Sequence, residues 1–358
     1  MTNMLPKNFD WQFYLENNPD LKDAGLSTQT DAENHWLNHG YAENRIYKPK
    51  RKINTKVVNC YHKDSSSGIG DILRGSIFLF EHFDDVSINF SNHPICKYLH
   101  SNSNDIIESE SIVDIYQEAV KRYGLSYTLA QLEQTLYSAI EETPFISSMY
   151  SYLLNSDGKP IHSQFQEHKI DCYTRNLLQQ ELHFHQDVED YYGNLKLKDF
   201  DVSHVRLGDY KIMQDKLDIK DDAILNQTNY KNYEINIDHI IYRIFATQAK
   251  HNKKMIVMSD NNDFKRTLID KAKLLGIQDN FDIIHTQSNH CSSRPGLLSH
   301  TDHFNKTEDI ELFNVVLDMK ILSQASSIDS YSVYPWGSGF SYAIAKIYDI
   351  PLRIEILC

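Results

Sequence analysis

From Phe200 to the C-terminus the chain alternates short apolar runs with helical stretches, and this rhythm restricts the fold more than any other feature. Phe200, Val202 and Val205 mark a strand, while Ile237, Ile240, Ile241, Ile244 and Phe245 keep the spacing of a helical stripe. Met255-Ile256-Val257-Met258 is apolar on both faces, as a strand covered from two sides must be. A helix over 263–275, a strand over 281–284, a helix from Thr307 to Ala325 and a strand over 328–332 continue the pattern. A helix opening at 337–341 and running through Tyr348, then a strand over 351–357, complete it. Strands joined by helices of that length lie parallel, with helices on both faces of the sheet.

The same units occur upstream. Val57, Val58 and Cys60 read as a buried strand that enters Ser65-Ser66-Ser67-Gly68-Ile69-Gly70-Asp71 and then a helix carrying Ile72, Leu73, Ile77, Phe78 and Leu79. Residues 86–90 alternate as a second strand, and 104–195 read as mainly helical. The spacing therefore predicts an α/β chain of two Rossmann-like halves, 53–196 and 197–358, facing a cleft. Residues 1–52 stand apart as a helical accessory module and basic linker. Phe9, Trp11, Phe13, Tyr14 and Trp36 offer an aromatic core, Asn18-Pro19 starts a helix, Thr30 or Asp31 caps a second one, and Lys48–Lys52 is a solvated basic run.

Composition narrows the partners. A chain of 358 residues that is 41% hydrophobic can bury substantial cores, and a net charge of −13 supplies no basic field for nucleic acid. Cys60, Cys96, Cys172, Cys291 and Cys358 are scattered without a C-x-x-C, the usage of a reduced compartment. With neither an apolar leader nor a run near 18 apolar residues, the expectation is a cytoplasmic protein without a membrane span; oligomeric state is not readable.

Chemistry concentrates at predicted strand ends. His204-Val205-Arg206-Leu207-Gly208-Asp209 ends one strand, and an Arg there, beside a Gly, suits a diphosphate because its planar fork donates two parallel hydrogen bonds. Ser259-Asp260 ends the next strand. Ser338-Gly339-Phe340-Ser341 opens a helix whose N-terminus suits phosphate oxygens. Together they describe a nucleoside-diphosphate site. In the first half, the turn at Gly68 and Gly70 offers backbone N–H groups at a helix start; it is neither a complete G-x-G-x-x-G nor a P-loop. His183 and His185 form a weak metal pair. His285, His290, Cys291, His300 and His303 sit in one loop but lack the tight spacing of a zinc site, so no metal is expected.

These motifs carry a resemblance. His204–Asp209 resembles the H-x-R-x-G-D motif of the superfamily that joins the α1,2-, α1,6- and protein O-fucosyltransferases. Ser259-Asp260 is similar to its second motif, and Leu317–Ala325 to the D-I-x-x-L-S-Q-A helix of the α1,6 group. Ser338–Ser341 is similar to the [ST]-x-F-S segment, and Gly68–Gly75 to the N-terminal G-x-G-N-x-x-x-G loop. The resemblance covers about 57–80 and 200–350. Residues 9–47 resemble a short module found beside glycosyltransferase domains in some microbial and giant-virus proteins; a viral source would make the compartment the host cytoplasm.

The resemblance implies a GT-B-like, inverting, metal-independent glycosyltransferase that moves L-fucose from GDP-fucose to a glycan hydroxyl. It implies Arg206 on the β-phosphate, His204 and Asp318 on the guanosine, and Ser341 on phosphate, with Ser259, Asp260, Ser338, Gly339 and Phe340 completing the donor side. Gly68, Gly70, Asp71 and Arg74 fall on the acceptor side. Asp71 stands where relatives carry Asn, and is either the general base or a helix cap; Asp209 is the other candidate base. The rival readings are another nucleotide sugar, a non-catalytic glycan- or nucleotide-binding protein on the same scaffold, and a sulfotransferase-like enzyme. The last lacks the cation it needs between Ser65 and Asp71.

Overall fold

The computed structural model describes residues 5, 9–43, 45, 47, 53–62, 68–103, 105–124, 127–149, 169–207, 212–213, 216–217, 236–283, 309–333 and 337–357. In chain order the described elements begin with α1 (Trp11–Glu16), α2 (Pro19–Asp23), α3 (Gln29–His35) and a π turn at Trp36–Gly40. Then come β1 (Ile53–Cys60), α4 (Ile69–His82), β2 (Phe83–Asn89), β3 (Leu99–His100), β4 (Val113–Asp114), α5 (Ile115–Tyr123), α6 (Leu129–Glu142) and β5 (Phe145–Ser147). They continue with α7 (Cys172–Glu181), β6 (His183–Phe184), α8 (Gln186–Leu195), β7 (Phe200–Arg206), β8 (Ile212–Met213), β9 (Lys216–Leu217) and α9 (Ile237–His251). The last are β10 (Lys254–Ser259), α10 (Asn262–Leu274), β11 (Phe281–Ile283), α11 (Asp309–Leu322), β12 (Ser327–Ser332), α12 (Gly339–Ile347) and β13 (Leu352–Ile356).

The predicted α/β class is what the chain adopts. One sheet runs β2-β1-β5-β4 and the other β11-β10-β7-β12-β13. Every pairing within them is parallel. The second sheet has its first strand, β7, at the centre, with the order reversing between β7 and β12. Ligands of open parallel sheets sit at the carboxyl ends of the strands at such a reversal.

Packing joins the two sheets. Ile72, Leu73 and Ile77 of α4, Ile88 of β2, Val202 of β7, Ile256 of β10, Leu317 of α11 and Ile344 of α12 belong to one buried cluster. Asn59 fixes α4 on the first sheet: its Nδ2 donates to Ser76 Oγ at 2.9 Å and to the Ser148 carbonyl at 3.1 Å, while its Oδ1 accepts from Ser148 N at 2.9 Å. A buried amide satisfied on both ends specifies a position rather than merely filling space.

The N-terminal unit has its own core of Tyr14, Leu15, Leu21, Ala32 and Trp36. Pro19 takes the first position of α2, as read from the sequence. The cap of α3 differs from both expected residues. Thr28 Oγ1 accepts from Asp31 N at 3.2 Å, and Asp31 Oδ2 accepts from Thr28 N at 2.9 Å. That reciprocal box satisfies two orphan N–H groups, whereas a cap at Thr30 or Asp31 would lose one of them. The unit meets the rest of the chain where Cys172 N donates to Asn17 Oδ1 at 2.8 Å, at the start of α7.

His183 and His185 do not gather a metal. His183 Nε2 is 2.9 Å from Asn102 Oδ1, and His185 Nδ1 accepts from Asp187 N as the cap of α8. Among the described residues no group of three His, Cys, Asp or Glu side chains is arranged to hold a metal ion. The histidine-bearing loop at 285–306 lies outside the described residues. Cys60, Cys96 and Cys172 are free thiols. No helix among the described residues is long and apolar enough to cross a membrane.

Candidate functional site

Strand register assembles the site. Ser259 pairs with Val205 across β10 and β7, so Asp260, one residue beyond the strand, falls beside Arg206. On the other side Ser330 pairs with His204 and Ser332 with Arg206 across β12 and β7. Two charged groups 54 residues apart in sequence thus meet because neighbouring parallel strands end at one level. Arg206 Nη1 donates to Asp260 Oδ2, and Leu207 N donates to Asp260 Oδ1 at 2.9 Å. The Arg206 side chain is 17% exposed and that of Asp260 7%. The guanidinium is therefore bonded to Asp260 and remains partly exposed.

His204 lies beneath. Its Nδ1 contacts Ser341 Oγ, which also accepts from Ser330 Oγ at 3.4 Å. Burial lowers its pKa to about 4, opposed by Asp260 and reinforced by Arg206. The ring is therefore neutral at pH 7, with one nitrogen a donor and the other an acceptor. Phe340 lies over it, ring centroids 6.0 Å apart. Ser338 caps α12, its Oγ accepting from Ser341 N at 3.4 Å. The four residues at 338–341 thus form a short helix start turned toward the end of β7.

Ser259 serves the scaffold. Its Oγ donates to the Val205 carbonyl at 2.7 Å and accepts from Asn261 N at 3.1 Å, clipping the ends of β10 and β7 together. Asp318 is buried on α11. Near it lies a residue that the motif reading passes over, Lys265 on the first turn of α10, at 2% exposure. Burial lowers the pKa of Lys265, opposed first by Asp318 and then by Asp260. A sequence signal for it exists: Lys265 shares the buried stripe of Phe264, Leu268 and Ala272, where a cation is out of place unless it has carboxylates to meet.

The predicted acceptor-side turn abuts this rim. A Cβ on Gly70 would lie 2.4 Å from Phe340 N and 2.6 Å from Phe340 Cα, so the start of α4 touches the start of α12 with no room for a side chain. Gly339 has Asp71 Oδ1 at 3.2 Å from its would-be Cβ. Asp71 caps α4, accepting from Gly68 N at 3.3 Å, and its other oxygen accepts from Arg74 Nη2 at 3.0 Å. Its side chain keeps 35% exposure while that of Arg74 has 9%. His204, Arg206, Asp260, Phe340 and Ser341 therefore meet at one rim with Gly70 and Asp71 against it. Asp209 lies outside the described residues.

No protein-family model matches the chain. No curated protein matches it either. Among solved structures it is similar to the α-1,6-fucosyltransferase NodZ co-crystallised with GDP, at 8% identity and a TM-score of 0.41, covering 82% of this chain and 92% of that one. It is similar to the fucosyltransferase NodZ from Bradyrhizobium at 10% identity and a TM-score of 0.39, covering 82% and 92%. It is also similar to POFUT1 in complex with GDP-fucose, at 9% identity and a TM-score of 0.36, covering 86% and 99%.

Proposed function

We propose that the chain is an inverting, metal-independent glycosyltransferase that moves L-fucose from GDP-fucose to a glycan hydroxyl, with the halves 53–196 and 197–358 as acceptor and donor domains. The observation that carries this reading is the placement of Arg206. It stands at the strand-order reversal of a parallel sheet, partly open, with a helix N-terminus beside it. A diphosphate lying between Arg206 and residues 338–341 would meet a fixed cation on one side and a helix dipole on the other. The neutral His204 keeps a hydrogen-bonding edge near the nucleoside without adding charge, and Asp318 takes the base.

In the reaction the acceptor oxygen bonds to the anomeric carbon as the bond from that carbon to the β-phosphate oxygen breaks. The electron pair leaves with GDP, where Arg206 stabilises it, and the acceptor proton passes to a carboxylate. Asp71 is the proposed base because its side chain stays 35% exposed and its Oδ1 lies beside Gly339 at the start of α12. Donor identity is tested by thermal shift with GDP, UDP, CMP and phosphoadenosine, each with and without magnesium. GDP alone should raise the melting temperature, by an amount set by its concentration relative to Kd. A shift with UDP and metal but none with GDP overturns the donor.

A further inference from the structure

We propose that the cleft between α7, α8 and α11 is a binding site for a neutral saccharide, remote from the strand ends that carry Arg206. The cleft has a volume of about 310 Å³, within the range of small-ligand sites. Gln179 of α7, His183 of β6, Glu189 of α8, Lys320 of α11, Gln324 just beyond it and Tyr348 after α12 line it. It lies at the opposite end of the second sheet from the donor rim. Ser326 N, two residues past Gln324, donates to the Phe200 carbonyl at the first residue of β7 at 2.8 Å. Arg206 ends that strand, about 20 Å away at a strand's rise per residue. No residue of the proposed donor or acceptor side lines the cleft, so the inference stands apart from the activity proposed above.

The lining side chains are held by the protein and keep hydrogen-bonding capacity over. Gln179 Nε2 donates to the Ile347 carbonyl at 2.7 Å, and Gln324 Nε2 donates to the Ser323 carbonyl and Oγ, both at 3.3 Å. Lys320 Nζ donates to Glu189 Oε1 at 2.7 Å. Asn102 Nδ2 donates to the Gln180 carbonyl and to Glu181 Oε1, so its Oδ1 accepts from His183 Nε2 at 2.9 Å. In the neutral ring, Nδ1 of His183 is then an acceptor. Among the described residues no hydrogen bond reaches Gln179 Oε1, Gln324 Oε1, Glu189 Oε2 or the Tyr348 hydroxyl. Burial and then Glu189 push the Tyr348 hydroxyl up to about 12, so it keeps its proton.

That set selects the class of ligand. Open acceptors outnumber open donors, which disfavours phosphate and carboxylate oxygens and calls for a ligand rich in O–H groups. The full charges of Lys320 and Glu189 already meet each other, and the ammonium also lies 5.0 Å from the Phe184 ring centroid and 5.5 Å from that of Tyr192. A charged ligand therefore has no charge left to balance. An apolar one would strand the amide oxygens. Sugar hydroxyls donate and accept at once, and the rings of Phe184 and Tyr348, also in the lining, offer carbon surface to a sugar's C–H groups.

The test is calorimetric titration and saturation-transfer NMR of the full-length chain. Chitotetraose, mannotetraose and galactotetraose are the neutral probes, and tetragalacturonate is the anionic control. At least one neutral probe should bind, and the control should not. Tyr348→Phe removes one hydroxyl and should weaken binding roughly threefold to tenfold, the worth of one hydrogen bond. Gln324→Trp, at an exposed position, should fill the cleft and abolish binding. If no neutral probe binds, the inference is overturned and the donor reading is untouched. Binding that survives Gln324→Trp overturns it too, because the saccharide would then sit elsewhere, and equal binding of the control contradicts the neutral class. If Tyr348→Phe does not fold, Gln324→Trp decides. A chain that binds saccharide in this cleft but not GDP would refute the donor reading and leave this one standing.

Discussion

The two helix starts that meet at the rim are built differently. At the start of α4 the charged groups pair within a single turn: Asp71 caps Gly68 N and pairs with Arg74 three residues on. At the end of β7 the partners come from afar, Asp260 from β10's end and Ser341 from α12. A local pair can be kept for helix capping alone. A constellation assembled from three elements, with a buried neutral imidazole and a nearly buried carboxylate, costs desolvation that capping does not require. The contrast supports the proposal that the chemistry lies in the second half and makes Asp71 the first-half residue to test.

Asp71→Asn presses hardest on this contrast. As the base, its loss should cut transfer by roughly 10²–10⁴-fold with GDP affinity unchanged, since the amide keeps the shape and cannot take the proton. Acceptor-dependent kinetics read this directly. As a cap, the change should be nearly silent, because Asn caps about as well as Asp; full activity would return the first rim to structure alone and pass the role to Asp209.

His204 provides the next effect. Its folded pKa of about 4 lies below the ordinary 6.5, so between those values the folded chain binds fewer protons than the unfolded one. Stability should then fall as pH drops from about 6.5 toward 4, by on the order of 3 kcal/mol from this group. His93, buried beside the first sheet with its pKa lowered to about 3 by burial and then by His62, adds a slope of the same sign. Urea denaturation across that range should show a shallower slope for His204→Asn than for the parent. An unchanged slope would mean that His204 is not held neutral.

Gly70→Ala should cost about 1–3 kcal/mol, because the new methyl meets the Phe340 backbone, which cannot swing aside as a side chain can. Gly193→Ala is the control: within α8, nothing lies within 4 Å of its would-be Cβ, and Ala should stabilise by up to about 1 kcal/mol. Equal stability of the two variants by chemical denaturation would deny that the helix starts touch.

What could be read beforehand follows the range of the interaction. Periodicity is local, so the strand–helix rhythm, Pro19 at the start of α2 and the buried β7 and β10 were legible. So was Arg206 as a strand-end cation. Asp260 as its partner was not, because that pairing depends on which strands neighbour β7 and in what register. The contact of Gly70 with Phe340 spans most of the chain, and no local rule encodes it. Ser259 looked like a ligand residue because its hydroxyl ends a strand, yet that hydroxyl bonds to Val205. Lys265 was passed over for the opposite reason: a lysine on a helix is usually solvated, and only its stripe neighbours betray the burial. The α3 cap was displaced by two or three residues because several polar side chains of the Ser27–Asp31 run compete, and the reciprocal Thr28–Asp31 pair wins.

The central claim is that Arg206 stabilises the departing diphosphate. The most direct measurement is the turnover of GDP-fucose, by transfer or slow hydrolysis, in the parent and in Arg206→Lys, with metal removed by chelation. Lysine keeps the charge and loses the fork, so the prediction is a fall in kcat/KM of roughly 10²-fold or more, with the melting temperature essentially unchanged. Near-parental turnover in that variant would contradict the account.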